Sequence, residues 1–91
     1  MRFEWDSTKD RHNRSKHGVP FPEACTVFED PLASTAPDPD HSEGEARYLT
    51  FGVSAQGRAL VVAHTNQGDT VRIISSRPMT HRERQAYESE R

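Results

Sequence analysis

The chain has 91 residues, 12 Lys and Arg against 14 Asp and Glu, five His and one Cys, for a formal net charge of −2. That length allows one domain with a modest core, and no apolar run approaches the roughly 20 residues of a membrane-spanning helix. The charge balance excludes a uniformly basic nucleic-acid coat, the lone cysteine excludes an internal disulfide, and MRFEWDSTKD has no apolar segment of signal-peptide length, so the expected location is a reducing cytoplasm.

Residues 1–5 alternate, which predicts a short strand with Phe3 and Trp5 on one face. Asp6 or Ser7 then offers an N-cap, and Gly18 a C-terminal stop, for a helix over 7–17. That helix, TKDRHNRSKH, is polar all round, so neighbours or a ligand must hold it. In VPFPEACTVFEDP, Pro22 and Glu23 suit a first turn, and Phe21, Ala24 or Cys25, and Phe28 recur at helical spacing. Cys25 lies in that apolar pattern and reads as a small core residue, not a nucleophile. Pro31 ends the helix, and residues 32–45 read as an acidic loop or edge segment because Pro37 and Pro39 disfavour a central strand. RYLTFGV (47–53), ALVVAHT (59–65) and TVRIISS (70–76) predict three strands, joined at SAQGR and NQGD by hairpin turns. Thr80 and Glu83 form a capping-box pattern opening a last helix over 80–90. The expected fold is α+β and one domain over 1–91. It is a small antiparallel sheet, a three-stranded meander plus the N-terminal strand, with two N-terminal helices and a C-terminal helix packed on one face.

Charge is unevenly spread. Residues 29–45 hold six acidic side chains and no Lys or Arg, residues 46–84 hold six arginines against Asp69 and Glu83, and residues 9–17 hold Lys9, Arg11, Arg14 and Lys16 against Asp10. Two basic regions flank an acidic one. His12 and His17 are five apart and miss the i,i+4 spacing of a helical metal pair, and His41 with Glu43 and Glu45 is only a loose cation set. CxxC, HExxH, GxxxxGK[ST] and GxGxxG are all absent, so neither a metal nor another cofactor is expected.

What remains is Lys16, His17, Arg47, Arg58, His64, Arg72, Arg77, His81, Arg82 and Arg84. These are the types that RNA cleavage needs. The 2′-OH must lose a proton, the pentavalent phosphorus carries extra negative charge, and the leaving oxygen needs a proton. Imidazole serves as acid or base, guanidinium stabilises the charge, and RNA supplies its own nucleophile, so no metal is needed. Each residue also has a plainer reading. Arg72 can pair with a carboxylate, His64 can be a satisfied half-buried histidine, Arg82 and Arg84 can coat a solvated helix face, and Lys16 and His17 can complement a helix C-terminus.

FEWDSTKDRHNRSKHGVPFPEACTVFEDPLA, DHSEGEARYLTFGVSAQGRALVVAHT and DTVRIISSRPMTHRERQAYE together resemble the BrnT family over nearly the whole chain. The resemblance implies a RelE-like ribonuclease toxin of a bacterial type II toxin–antitoxin pair. It also implies a BrnA-type antitoxin as partner, in a 2:2 complex that reaches DNA only through the antitoxin. Lys16, His17, Arg58, Arg72 and Arg77 become the candidates for catalysis, and Arg47, His64, His81, Arg82 and Arg84 for RNA binding. The first helix departs from the family pattern, which has Ala, Asn and Leu before KHGV where this chain has the more polar DRHNRS. The competing reading is a non-catalytic module that binds an antitoxin-like partner or nucleic acid. A directly DNA-binding repressor fits less well, since no helix-turn-helix spacing is visible.

Overall fold

Asp6 lies between the first strand, β1 (Arg2–Glu4), and the first helix, α1 (Ser7–His17). Its carboxylate accepts from the Thr8 and Lys9 backbone N–H groups at 2.8 and 3.1 Å, satisfying donors that a helix start leaves open. Gly18 ends the helix at φ 70°, in the left-handed region that a residue without Cβ enters freely, and its N–H donates to the Arg14 carbonyl. Helix α2 (Phe21–Thr26) has Pro22 in its first turn and runs into a 3-10 turn at Val27–Glu29. Then come β2 (Ser34–Pro37), β3 (Arg47–Val53), β4 (Ala59–Gln67), β5 (Thr70–Pro78) and helix α3 (His81–Ser89). This computed structural model describes residues 1–40 and 44–89. His41 and Glu43 of the loose cation set, and Glu90 at the expected end of the last helix, fall outside the described residues.

The strands form one sheet in the order β1-β5-β4-β3-β2. The antiparallel meander of β3, β4 and β5 is the one read from the sequence. The rest of the expected sheet needs correction. It has five strands and is mixed, because β1 runs parallel to β5 with Phe3 beside Val71. Ser34–Pro37 forms the opposite edge, antiparallel to β3, with Thr35 beside Thr50. Proline is tolerated there because an edge strand bonds on one side only.

The helices do not share one face either. Val19, Phe21, Ala24 and Val27 pack on Leu60, Val62, Val71 and Ile73, the alternate positions of β4 and β5, and make the core. Trp5 meets Phe21 edge-on at 6.3 Å and Phe3 meets Phe28 at 5.4 Å. Gly52 faces this layer: a Cβ there would come within 2.9 Å of the Val27 methyl, so only glycine lets the 3-10 turn approach. Phe51, Val61 and Arg77 lie in one row on the other face, where Phe51 lines a cavity together with Glu83, Ala86 and Tyr87 of α3. This second face is called the far face below. Two polar contacts secure α3: Glu83 takes the Arg77 guanidinium at 2.7 and 2.9 Å, and the Tyr87 hydroxyl donates to Asp30 at the sheet edge. The Thr80–Glu83 capping box is formed, with N–H to side-chain bonds of 2.8 and 3.1 Å.

Helix α1 has no aliphatic face to bury, so it is held by hydrogen bonds. Asp10 accepts from the Phe21 N–H at 2.8 Å and pairs with Arg14 at 3.0 Å. Asn13 is buried at 4% exposure and works as a surrogate peptide. Its Nδ2 donates to the carbonyls of Val19 and Ser76, both at 2.8 Å, and its Oδ1 accepts from the Ser76 N–H at 3.1 Å.

Asn13→Ala is expected to destabilise the fold by about 3 kcal/mol, since it leaves buried backbone groups of β5 and the α1–α2 turn unpaired. Asn13→Asp is expected to do comparable damage, because a carboxylate cannot donate to the two carbonyls. Urea unfolding of both variants measures this. The Arg77 guanidinium holds the Glu83 carboxyl at about 2, below its ordinary 4.5. A carboxyl lowered in the folded state stabilises fully above its unfolded pKa and loses that contribution as pH falls through the folded one. The pair's contribution is therefore expected to fade from about pH 4.5 to 2, and urea midpoints of Glu83→Gln are expected to fall less steeply across that window than those of the wild type.

Candidate nucleic-acid interface

Strand β1 covers β5 only at residues 70–72. Beyond that the edge of β5 is open, and α1 lies along it, fastened by Asn13. On α1, Lys9, His12 and Lys16 fall at i, i+3 and i+7, which places them on one stripe beside Asn13. A groove of about 390 Å³ opens there, lined by Lys9, His12, Lys16, His17, Ile74 and Ser75, with Thr8 and Asn13. A bulge shapes its floor. His64 pairs with Ile73 and Ala63 with Ser75, so Ile74 has no partner across the ladder. Bulges of this kind re-aim side chains, here toward α1.

The cations of this groove differ from the arginines elsewhere. Among the described residues, Lys9, His12, Lys16 and His17 make no side-chain hydrogen bond or ion pair. Most of the arginines singled out from the sequence do. Arg58 is held bidentately by Glu23 at 2.6 and 2.9 Å, Arg72 meets Glu4 at 3.3 Å, Arg77 takes Glu83, and Arg84 takes Glu88 at 3.0 Å. Glu23 is 8% exposed and also accepts from the Ser54 hydroxyl at 2.8 Å. The Arg58 fork holds the Glu23 carboxyl below its usual range, against the opposing effect of burial, and Glu23 in turn raises Arg58.

The candidate residues therefore separate into groups. Lys16 and His17 come together in the groove with Lys9, His12 and Ser75, which the sequence reading did not single out. Arg58 stands at the end of α1, its Nη2 donating to the Gly18 carbonyl at 3.0 Å. Arg47 and Arg72 share a far-face row through Thr65, and Arg77 sits on the same face. Ser75 pairs with Ala63, which belongs to that far-face alternation, and also lines the groove, so β5 joins the two regions. His81, Arg82 and Arg84 are on the exposed surface of α3. His64 is elsewhere. It is 1% exposed, between Phe28 and Tyr48, and both ring nitrogens are used inside the protein. Asn66 Oδ1 can only accept, so Nδ1 carries the proton and Nε2 accepts from the Thr50 hydroxyl at 2.7 Å. Burial lowers its pKa, partly offset by Asn66. That is the plainer of its two sequence readings, with the histidine more deeply buried than half, and the surface set of candidate RNA contacts does not include it. Cys25 packs against the core, and burial pushes its thiol up to about 11, which suits a packing role.

The missed groove residues had a readable signal. Lys9, His12 and Lys16 form an i, i+3, i+7 stripe that the sequence already contains, but His12 enters the sequence reading only through metal-ligand spacing. Among the described residues no three His, Cys, Asp or Glu side chains converge as metal ligands, and no helix is long and apolar enough to cross a membrane.

A family model described as the ribonuclease toxin BrnT of type II toxin–antitoxin systems matches residues 5–83. The crystal structure of the Brucella abortus ribonuclease toxin BrnT is similar in fold, with a TM-score of 0.64 and 21% identity over 89% of this chain and 99% of that one. No curated protein matches the chain. The structural likeness speaks for the fold. The family match takes in α1, α2, the whole meander and the capping box of α3, and on it this chain belongs to the BrnT family of ribonuclease toxins of type II toxin–antitoxin systems.

Proposed function

We propose that the chain is a metal-independent endoribonuclease acting in the cytoplasm, with the phosphate to be cleaved seated in the α1–β5 groove. The observation that carries this reading is the meeting there of two imidazoles and two ammonium groups, none of which makes a side-chain hydrogen bond or ion pair among the described residues. One imidazole removes the 2′-OH proton as the 2′-oxygen bonds to phosphorus. The bond from phosphorus to the 5′ oxygen breaks, and the other imidazole gives that oxygen a proton. The products are a 2′,3′-cyclic phosphate and a 5′-OH. His17 and His12 have the chemistry for these steps. Lys16 and Lys9 neutralise the phosphate, and Arg58 adds positive charge at the end of α1. The RNA backbone then continues past Ser75 to Arg47, Arg72 and Arg77 on the far face, with His81, Arg82 and Arg84 of α3 along its path. To hold phosphate, Arg72 and Arg77 would exchange Glu4 and Glu83 for it. The partner is a BrnA-type antitoxin in a 2:2 complex, and an acidic or amphipathic segment of it suits the cationic groove.

A second reading is favoured by the pairing of Arg58, Arg72 and Arg77 with carboxylates. In it the chain binds antitoxin or RNA without cleaving. The two readings separate in one assay, incubation of antitoxin-free protein with labelled RNA in excess EDTA. Cleavage to 2′,3′-cyclic phosphate ends is expected. His17→Gln is expected to slow single-turnover cleavage by about 10²-fold with an unchanged thermal midpoint. An unchanged rate in that variant would remove His17 from the mechanism. Lys16→Ala is expected to weaken RNA binding and to flatten the slope of log K against log salt by about 0.7. A folded protein that binds antitoxin and leaves RNA intact would establish the second reading.

A further inference from the structure

Arg58 is the candidate residue whose environment is most completely built. Three hydrogen bonds leave its guanidinium: Nε to Glu23 Oε2 at 2.9 Å, Nη2 to Glu23 Oε1 at 2.6 Å, and Nη2 to the Gly18 carbonyl at 3.0 Å. Together they use the Nε–H and both Nη2–H donors. Nη1 makes no bond among the described residues, and the side chain is 42% exposed. Gly18 is the residue after His17, so the guanidinium is anchored to the backbone where the groove stripe ends.

The frame behind Arg58 is stiff. Glu23 is on α2 and buried, with Ser54 as a further donor at 2.8 Å. Ser54 opens the β3–β4 turn, and its hydroxyl also accepts from the Arg58 N–H at 3.2 Å. The Ser54 N–H donates to the Arg58 carbonyl at 2.8 Å, and the Ala55 N–H donates to the Thr26 hydroxyl at 2.8 Å, which pins the turn to α2. An exposed arginine commonly wanders among rotamers. This one is tied at once to α2, to its own turn and to the end of α1.

From this we infer that Glu23 is a positioning residue for RNA cleavage, orienting Arg58 so that its free Nη1 N–H groups stabilise the charge that builds on the phosphate beside His17. The inference rests on the ribonuclease reading above. Glu23 does not touch RNA; it acts through Arg58. A preorganised donor pair gains over a mobile cation because no reorientation is needed as the charge develops. A long-range attraction to RNA would be supplied equally well by a mobile arginine, so positioning should appear in the chemical step and not in binding.

The test compares Glu23→Gln, Arg58→Lys and the double variant in single-turnover cleavage at saturating RNA, with RNA Kd and thermal midpoint measured in parallel. Glu23→Gln is expected to slow cleavage about tenfold or more while Kd stays within about twofold. The double variant is expected to be no slower than the slower single variant, because both changes break one unit. A folded Glu23→Gln that cleaves at the wild-type rate, or losses that multiply in the double variant, would overturn the inference. Should Glu23→Gln fail to fold, Arg58→Ala with added low-millimolar guanidinium decides. Restored cleavage supports an oriented guanidinium at this place, and no restoration rejects it. His17→Gln run alongside separates the two levels: if it too is silent, the groove reading has failed, and if Glu23→Gln alone is silent, only the positioning role has.

Discussion

An inner strand needs hydrogen-bonding partners on both sides, and β5 finds one of them in a side chain. Pairing with β1 stops at Arg72 of β5, and past that point the amide of Asn13 donates to and accepts from Ser76 as a neighbouring strand would. The third bond, to Val19, ties the same amide to the chain leaving α1. A helix with no aliphatic stripe cannot be driven onto a sheet by hydrophobic burial. Asn13 and Asp10 replace that drive with directional bonds, which fix the helix in rotation as well as in position. Rotation matters here, because it decides which stripe of α1 looks into the groove. With Asn13 against Ser76, the neighbouring stripe is the one that carries Lys9, His12 and Lys16.

Net charge alone would have argued against an RNA-acting protein, and the pairing of charges resolves the conflict. Many of the carboxylates are committed to structure: Asp6 caps α1, Asp10 fastens it, Glu23 holds Arg58 and Glu83 holds Arg77. Charges neutralised in such pairs contribute little field at a distance. Of the remaining acidic residues, Glu29, Asp40 and Glu45 lie in the segments that lead into and out of β2, the edge of the sheet away from α1. The field near the open edge of β5 is therefore set by a few unpaired cations and not by the sum over the chain.

The parts of this fold that were legible in the sequence are those governed by neighbours in the chain. Asp6 and Gly18 bracket α1, the turns at 54–58 and 66–69 carry glycine where hairpins need it, and Thr80 with Glu83 closes the start of α3. The parts that were not legible depend on distant partners. Nothing local in MRFEW states that β1 will run parallel to the last strand. The placing of α3 on the far face follows from Arg77 and Tyr87 reaching Glu83 and Asp30, contacts that alternation along one strand cannot reveal. The bulge at Ile74 is equally silent, since it is a misfit between two strands and not a property of either. For the site, Lys16 and His17 were visible because chain chemistry points to them. Lys9, His12 and Ser75 required knowing that α1 lies along β5.

The two cationic regions are joined by that bulge. Without the extra residue, the alternation of β5 would continue unbroken through Ile74 and Ser75, and the strand would keep one set of side chains toward the core and the other on the far face. With it, Ser75 reaches the rim of the groove while Arg72 and Arg77 keep to the far face. A phosphodiester backbone is a line of charges, and a single pocket meets only one of them. A strand that presents polar groups to both sides of its own edge offers such a line a continuous path. On the proposed reading, chemistry happens where imidazoles stand at one end of that path, and the arginines beyond it, screened by carboxylates until RNA arrives, draw the chain across the edge.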